Sequence, residues 1–356
     1  MMGSRRTACV LAALVAVHLS AEAGAQEDPG RRVAGSVRLG TEYDDNVFRR
    51  EGEEQHGGFL SRYFAALDLA TRGLPGSVAS LSVSHGGKFF FLDEHGGADT
   101  LLTQVTLGYR QHIAAAVSAW ASADMKDRTE RDPRRDYNLG GVAAGVELYT
   151  GPVTSRFGGA ARYFAFKPSS ESSSSNLEGL AQVRWRVADP IEASGGYTLA
   201  RRAFDTDRYD LVDDELFAVP DDLRRDLFHM INVGVSYRGP LVGELRYAYA
   251  RNVSNSYGQR LSRHSFNLTL TAPLLWRFFA SVHLELQRTT YQDPVLIDAS
   301  FLVDEDNRNA VVASLVRAFG EHWEVEARYS LYLQEFGVGS DYRRQTILAA
   351  VGYLFD

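Results

Sequence analysis

From His322 to Phe336 apolar and polar residues take turns along the chain. Trp323, Val325, Ala327, Tyr329, Leu331 and Leu333 form one set; Glu324, Glu326, Arg328, Ser330, Tyr332 and Gln334 form the other. A period of two places the sets on opposite faces of a pleated strand. The run exceeds the ~5–6 residues usual in soluble sheets and matches the ~9–11 that a tilted strand needs to cross a bilayer. From Arg343 onward Ile347, Ala349, Val351, Tyr353 and Phe355 interleave with Leu348, Ala350, Gly352 and Leu354. Strands of this length, apolar outward and polar inward, predict a transmembrane antiparallel β-barrel.

The pattern recurs along the chain and predicts sixteen strands in eight hairpins, with fourteen or eighteen as the neighbouring counts. The first eight are expected near Val33–Tyr43, Phe59–Ala70, Ser77–Phe91, Leu101–Arg110, Ile113–Met125, Tyr137–Tyr149, Ser155–Phe166 and Leu177–Val187. Strands nine to fourteen follow around Leu199, over Leu227–Arg238, around Tyr247, around Leu268, around Leu284, and over Asn309–Arg317. The links also sort by parity. Short Gly/Pro turns such as Thr150-Gly151-Pro152 and Gly239-Pro240 follow even strands. Long polar links over 44–57, 126–136, 167–176, 205–226, 251–260 and 291–309 follow odd ones. Short periplasmic turns and long external loops are the rule for outer-membrane barrels. A soluble sandwich or solenoid also alternates, but with shorter strands and unsorted loops.

Arg5 and Arg6, the apolar run Ala8–Leu19 and Ala23-Gly24-Ala25 read as a secretory signal over residues 1–25, leaving 26–356 as the barrel. Cys9, the single cysteine, falls in that segment, so the mature chain has no cysteine and no disulfide or thiolate chemistry. No later stretch has the ~20 apolar residues of a membrane helix, and only a closed sheet is tolerated in lipid. The expected location is therefore the outer membrane, with outer-membrane lipid around it. With 45 acids against 38 bases, nucleic acid is not an expected partner. Together, 17 tyrosines and 19 phenylalanines suit aromatic girdles.

The faces assigned inward mix charges. Arg38, Arg184, Arg186, Arg246, Arg263 and Arg328 stand against Glu178, Glu244, Glu285, Glu324 and Glu326, with Glu42 and His283 on the same side. A barrel of ~16 strands leaves an aqueous channel, whereas ~8 strands fill with side chains. These residues are thus candidates for lining a pore, either a general diffusion porin for small polar solutes or a dedicated conduit. A wet wall of paired charges that only keeps the barrel rigid is the bland alternative. Ser262 and His264 share an outward face and resemble the serine–histidine chemistry of outer-membrane phospholipases and lipid-A deacylases, where histidine activates the serine. His85 and His229 lie at similar heights, so interfacial polar residues explain all three. Asp93-Glu94-His95 and the acids Asp205, Asp207, Asp210, Asp213 and Asp214 invite protease or calcium readings, but they lack the spacing of a known calcium loop. Neither a metal nor a cofactor is expected. Trp276 and Trp323 follow periplasmic turns, where amphipathic rings favour the interface.

Gly40-Thr41-Glu42-Tyr43-Asp44-Asp45-Asn46-Val47-Phe48-Arg49 resembles the opening strand of outer-membrane barrels associated with exopolysaccharide production and export. It is also similar to the barrel part of surface-lipoprotein assembly modifiers, whose N-terminal helical repeats have no counterpart here. Tyr353 and Phe355 resemble a barrel-assembly signal, although the chain ends in Asp356 instead of an aromatic. The resemblance implies a passive conduit for polysaccharide working with periplasmic and inner-membrane partners. It brings no catalytic residues with it.

Overall fold

The computed structural model describes residues 31–47, 56–132, 135–213, 215–293, 309–334 and 342–355. Among them sixteen strands form one closed antiparallel barrel in which each strand pairs with its sequence neighbours and the first pairs with the last. The strands are β1 Arg31–Asp44, β2 Gly58–Thr71, β3 Ser77–Phe90, β4 Thr100–Ala114, β5 Val117–Glu130, β6 Tyr137–Thr150, β7 Val153–Phe166 and β8 Ser174–Ala188. The second half comprises β9 Ile191–Val212, β10 Glu215–Arg238, β11 Val242–Ser254, β12 Leu261–Pro273, β13 Phe278–Tyr291, β14 Asn309–Phe319, β15 Trp323–Gln334 and β16 Tyr342–Phe355. No helix among the described residues is long and apolar enough to cross a membrane. The expected signal segment and most of the 291–309 link lie outside the described residues.

Each ladder carries the alternation to the next strand without a break. Glu42 pairs with Leu348 on one side and Leu60 on the other, while Tyr43 pairs with Ile347 and Phe59. The face bearing Glu42 is buried, and the face bearing Leu39, Tyr43, Val142, Phe157, Val183 and Ile347 is exposed. An exposed apolar belt around a closed sheet is stable only in hydrocarbon. Aromatic side chains rim it near the short turns: Trp323 packs on Tyr353 at 5.0 Å between ring centroids, and Trp276 is almost wholly exposed. Gly151 and Gly320 sit in those turns with φ of 57° and 68°, the left-handed region that glycine enters without strain.

Three expectations are corrected. The polar stretch 205–226 is no loop: β9 and β10 continue through it as a ribbon. Its ladder slips between Val219 and Arg225, where Pro220 has no N–H to give and Asp221 adopts φ 61°. The stretch 126–136 is likewise strand as far as Glu130. Both extensions reach past the apolar belt, so each face is wet and no alternation is imposed on the sequence. Finally, β4 runs on to Ala114 and β5 begins only at Val117, because an alanine pair makes this turn without the usual glycine or proline.

Candidate functional site: the inner wall

The ladders put Arg38, Glu178, Arg184, Arg186, Glu244, Arg246, Arg263, His283, Glu285, Glu324, Glu326 and Arg328 on one continuous face, the one that turns inward. Arg246, Asn267 and Glu285 lie side by side across three strands, as do Glu244, Thr269 and His283. Most of these side chains pair locally; they do not converge on a point. Arg38 reaches Glu324 at 2.7 Å and Glu326 at 3.9 Å, and Arg328 holds Glu326 at 2.7 Å. Arg246 pairs with Glu244 at 2.5 Å, and Glu178 with Arg162 at 3.5 Å. His283 shares a hydrogen bond with Thr269 at 2.9 Å, and Arg263 donates to Thr289 at 3.3 Å. The Glu324 side chain occupies space next to Gly352, where a Cβ would lie 2.7 Å from its Cγ.

Two buried ionic clusters were not legible from single strands. At the external mouth Glu42, 1 % exposed, accepts from Arg62 at 2.6 Å and Lys88 at 3.2 Å. Beside it Arg344 on β16 grips Asp44 on β1, one of its bonds measuring 2.9 Å. Toward the short-turn end Glu147 accepts from Tyr149 at 2.6 Å and Arg184 at 3.2 Å, with Arg110 at 3.5 Å. Next to that cluster Trp120 lies inward under the Arg156 guanidinium, 3.7 Å from the ring centre. Gly158 makes room for it, since a Cβ there would approach the indole to 2.6 Å. Parity carried the signal: Trp120 falls in step with Ser118, Ser122 and Asp124. Further cations stack on inward aromatics, Arg202 over Phe228 at 4.2 Å and Arg224 over Phe204 at 3.9 Å.

The external mouth is partly covered on the side of β1 to β3. After β3 the chain makes a short 3-10 turn, Asp93–Ala98, that packs on a cluster of Val47, Leu60 and Phe90. His95 is buried in it, edge-on to Phe90. Glu94 lies 3.8 Å from His95 but its own side chain is 73% exposed, so the buried histidine and the solvated acid do not converge on one site. The acids over 205–222 are spread along both faces of the β9–β10 ribbon. Arg208 joins Asp222 and Asp210 there, and those hydrogen bonds raise its pKa above the ordinary arginine value. No group of three metal-ligating side chains occurs among the described residues; Asp214 lies outside them.

Ser262 and His264 do face outward, but they do not bond each other. His264 Nδ1 takes its hydrogen bond with the Tyr247 hydroxyl at 2.7 Å. His229 does the same with Tyr197 at 2.8 Å, while His85 meets Tyr63 through Nε2 at 2.6 Å and Thr103 through Nδ1 at 2.9 Å. Three outward tyrosine–histidine pairs thus recur on separate pairs of strands. The pattern gives His264 no role that His85 and His229 lack.

A closed sheet of sixteen antiparallel strands, apolar outside and ionic inside, is a transmembrane barrel of the outer-membrane kind. No family model matches the sequence, and no curated protein matches it. Solved structures with a similar fold include OccAB3 of Acinetobacter baumannii, at 7% identity and a TM-score of 0.48, covering 91% of this chain and 99% of that one. The FrpB iron transporter of Neisseria meningitidis aligns at 12% identity and 0.46, over 92% of this chain and 71% of that one. A bacterial polysaccharide outer membrane secretin aligns at 9% and 0.43, over 90% and 98%.

Proposed function

We propose that this protein is a passive outer-membrane conduit for polar solutes, with exported polysaccharide as its solute class. One observation carries the first half: a closed sheet of sixteen strands whose inner face carries buried ionic clusters and further charged side chains. A sheet of that size leaves room for water, and an ionic lining is stable only where water or opposite charge meets it. The polysaccharide reading rests on the sequence resemblance of Gly40–Arg49. It is also favoured by inward aromatics stacked with arginines, surfaces that suit a polyhydroxylated chain. In this reading the lining residues are Arg38, Glu178, Arg184, Arg186, Glu244, Arg246, Arg263, His283, Glu285, Glu324, Glu326 and Arg328, and periplasmic partners deliver the polymer.

The test is conductance in a planar bilayer. The parent barrel should pass both ions with weak selectivity. Glu324→Gln with Glu326→Gln frees Arg38 and Arg328 from their partners, so selectivity should move toward anions while the unboiled gel mobility stays that of a folded barrel. His264→Ala, changed on the lipid side, should leave the current untouched. Acidic and neutral oligosaccharides should interrupt the current; currents that ignore both would favour a general diffusion porin. A parent that never conducts, folded and in either orientation, overturns the conduit.

A further inference from the structure

The outside of the barrel is not a uniform belt. Along one ladder row, Leu107, Ala123, Val142, Ala161, Leu177 and Arg201 stand directly opposite one another across β4 to β9. The next row toward the short turns reads Ala121, Ala144, Gly159 and Gly179 across β5 to β8. Small residues sit where other strands present leucine, valine or phenylalanine, so the surface sinks into an oblique furrow between Leu107 and Leu177. The furrow continues past Tyr163 to Arg201 and Arg225. It also climbs: Leu107 is seven residues from the short-turn end of β4 at Ala114, and Arg201 is ten from that of β9 at Ile191. Its low end is therefore in mid-belt and its high end at the external edge.

At that edge the outward apolar runs of β9, β10, β11 and β13 are broken by Arg201, Arg225, Arg251 and Arg288, all exposed, with Leu223 and Val253 beyond two of them. None of these guanidinium groups has an ion pair among the described residues. By contrast, the outward Lys167 on the far side of Tyr163 is held by Asp127 at 2.7 Å. Asp205, the next outward residue above Ala203, bonds neither Arg201 nor Arg225. Unpaired arginines on the lipid side face the one place where anions and acyl chains occur together.

We propose that the furrow and its two arginines form a binding site for a phosphorylated lipid of the outer leaflet. Acyl chain lies along Ala161, Ala144 and Gly159, where close packing replaces looser contact with bulk lipid. Arg201 and Arg225 take the phosphate, a geometry for which the planar guanidinium fork is suited. Tyr163 stands between chain and headgroup, the usual station of a tyrosine at a membrane interface. Arg251 and Arg288 extend the cationic edge around the barrel. This site is independent of what passes through the lumen.

Native mass spectrometry of the folded barrel in neutral detergent tests it. The probe is a bisphosphorylated acylated glucosamine disaccharide, with its dephosphorylated form as the comparison. The parent should retain the bisphosphorylated lipid. Arg201→Gln with Arg225→Gln should weaken it about thirtyfold, about fivefold for each cation lost near a lipid headgroup. Ala144→Phe, which fills the furrow and keeps the charges, should weaken both forms of the lipid. Arg343→Gln, an outward arginine on β16 far from the furrow, should change nothing. Equal retention of the two lipid forms, or a double variant within twofold of the parent, overturns the proposal. So does displacement of the lipid by millimolar inorganic phosphate, which would mark a mere anion patch. If Ala144→Phe instead splits an oligomer and leaves lipid retention intact, a second copy of the chain occupies the furrow and the lipid assignment falls.

Discussion

Along β15, β16, β1, β2 and β3 the inner face carries Glu326, Arg344, Asp44, Glu42, Arg62 and Lys88, most of them buried and each with a partner of opposite charge. Half a turn away, on β9 to β12, the middle row of the same face is Gly196, Asn232, Ala248 and Ser265, free of charge, and the rows on either side carry one charge each on these strands, Arg246 and Arg263. The two walls have the same ladders, but their strands are joined differently. Every pair from β9 to β12 is closed by a turn or ribbon tip that sets its register. β1 and β16 meet from opposite ends of the chain, with no turn between them.

What replaces the turn is side-chain chemistry. Arg344 holds Asp44 across the seam, and Arg38 on β1 reaches past β16 to Glu324 on β15. Asp45 accepts from the backbone N–H of Gln345 at 2.5 Å and from its side-chain amide at 3.1 Å; Asn46 donates to the Arg343 carbonyl at 3.1 Å. A slip of one residue between β1 and β16 would put Asp44 and Arg344, or Arg38 and Glu324, on opposite faces of the sheet. Buried charge pairs are poor sources of net stability but good sources of registry. The seam needs registry more than the opposite wall does.

The largest effect should come from breaking the seam. Asp44→Ala leaves Arg344 buried without its carboxylate, and losing one partner of a buried pair costs about 3–5 kcal/mol. Unfolding of the refolded barrel in urea, followed by gel mobility, should show that loss. If the charges act mainly on register, Asp44→Leu with Arg344→Met should recover most of the stability yet refold more slowly and with misregistered products. A double variant that refolds as cleanly as the parent would remove the registry argument.

Glu42 comes next. Its partners Arg62 and Lys88 keep about a third of their side-chain surface exposed, so water takes up part of what Glu42→Ala removes. Unpaired polar groups cost about 1–3 kcal/mol each when buried, and a loss in the lower half of that range is expected for the variant. A loss as large as that of Asp44→Ala would mean that the whole β1–β3 wall, and not the seam alone, carries the difference.

Much of this architecture was readable in advance, and the parts that were not share a cause. The belt wrote the alternation of Trp323 to Leu333 into the sequence, and with it the strand count and the inward face. Where the sheet leaves the membrane, as in Thr206 to Asp222, nothing forces alternation and the strand looked like a loop. Trp120 was legible by parity alone, once the alanines around it were given a face. The pairings were not legible: Asp44 and Arg344 lie 300 residues apart, and only the closure of the ring makes them neighbours. Tyr247 beside His264 was hidden in the same way, since a cross-strand partner leaves no mark in local spacing.

The smallest effect belongs to the charged pair on the quiet wall. Glu244 and Arg246 alternate on β11 at 2.5 Å, with 44% and 64% of their side chains exposed. They lie two residues apart on one strand, so the pair ties β11 to nothing and sets no register. Exposed pairs of this kind are worth about 0.2–1 kcal/mol, less in salt. Glu244→Ala and Arg246→Ala should each shift the urea midpoint by little more than its error, and the double variant should match their sum. Placing the same test on Glu326 and Arg328, also two residues apart on β15 but with Glu326 buried and Arg38 close by, holds the local geometry fixed and changes only the wall. A clear loss at Glu326 beside none at Glu244 would assign the difference to the seam's surroundings. Equal losses at the two sites would show that spacing along the strand, and not position in the barrel, decides what a charge is worth here.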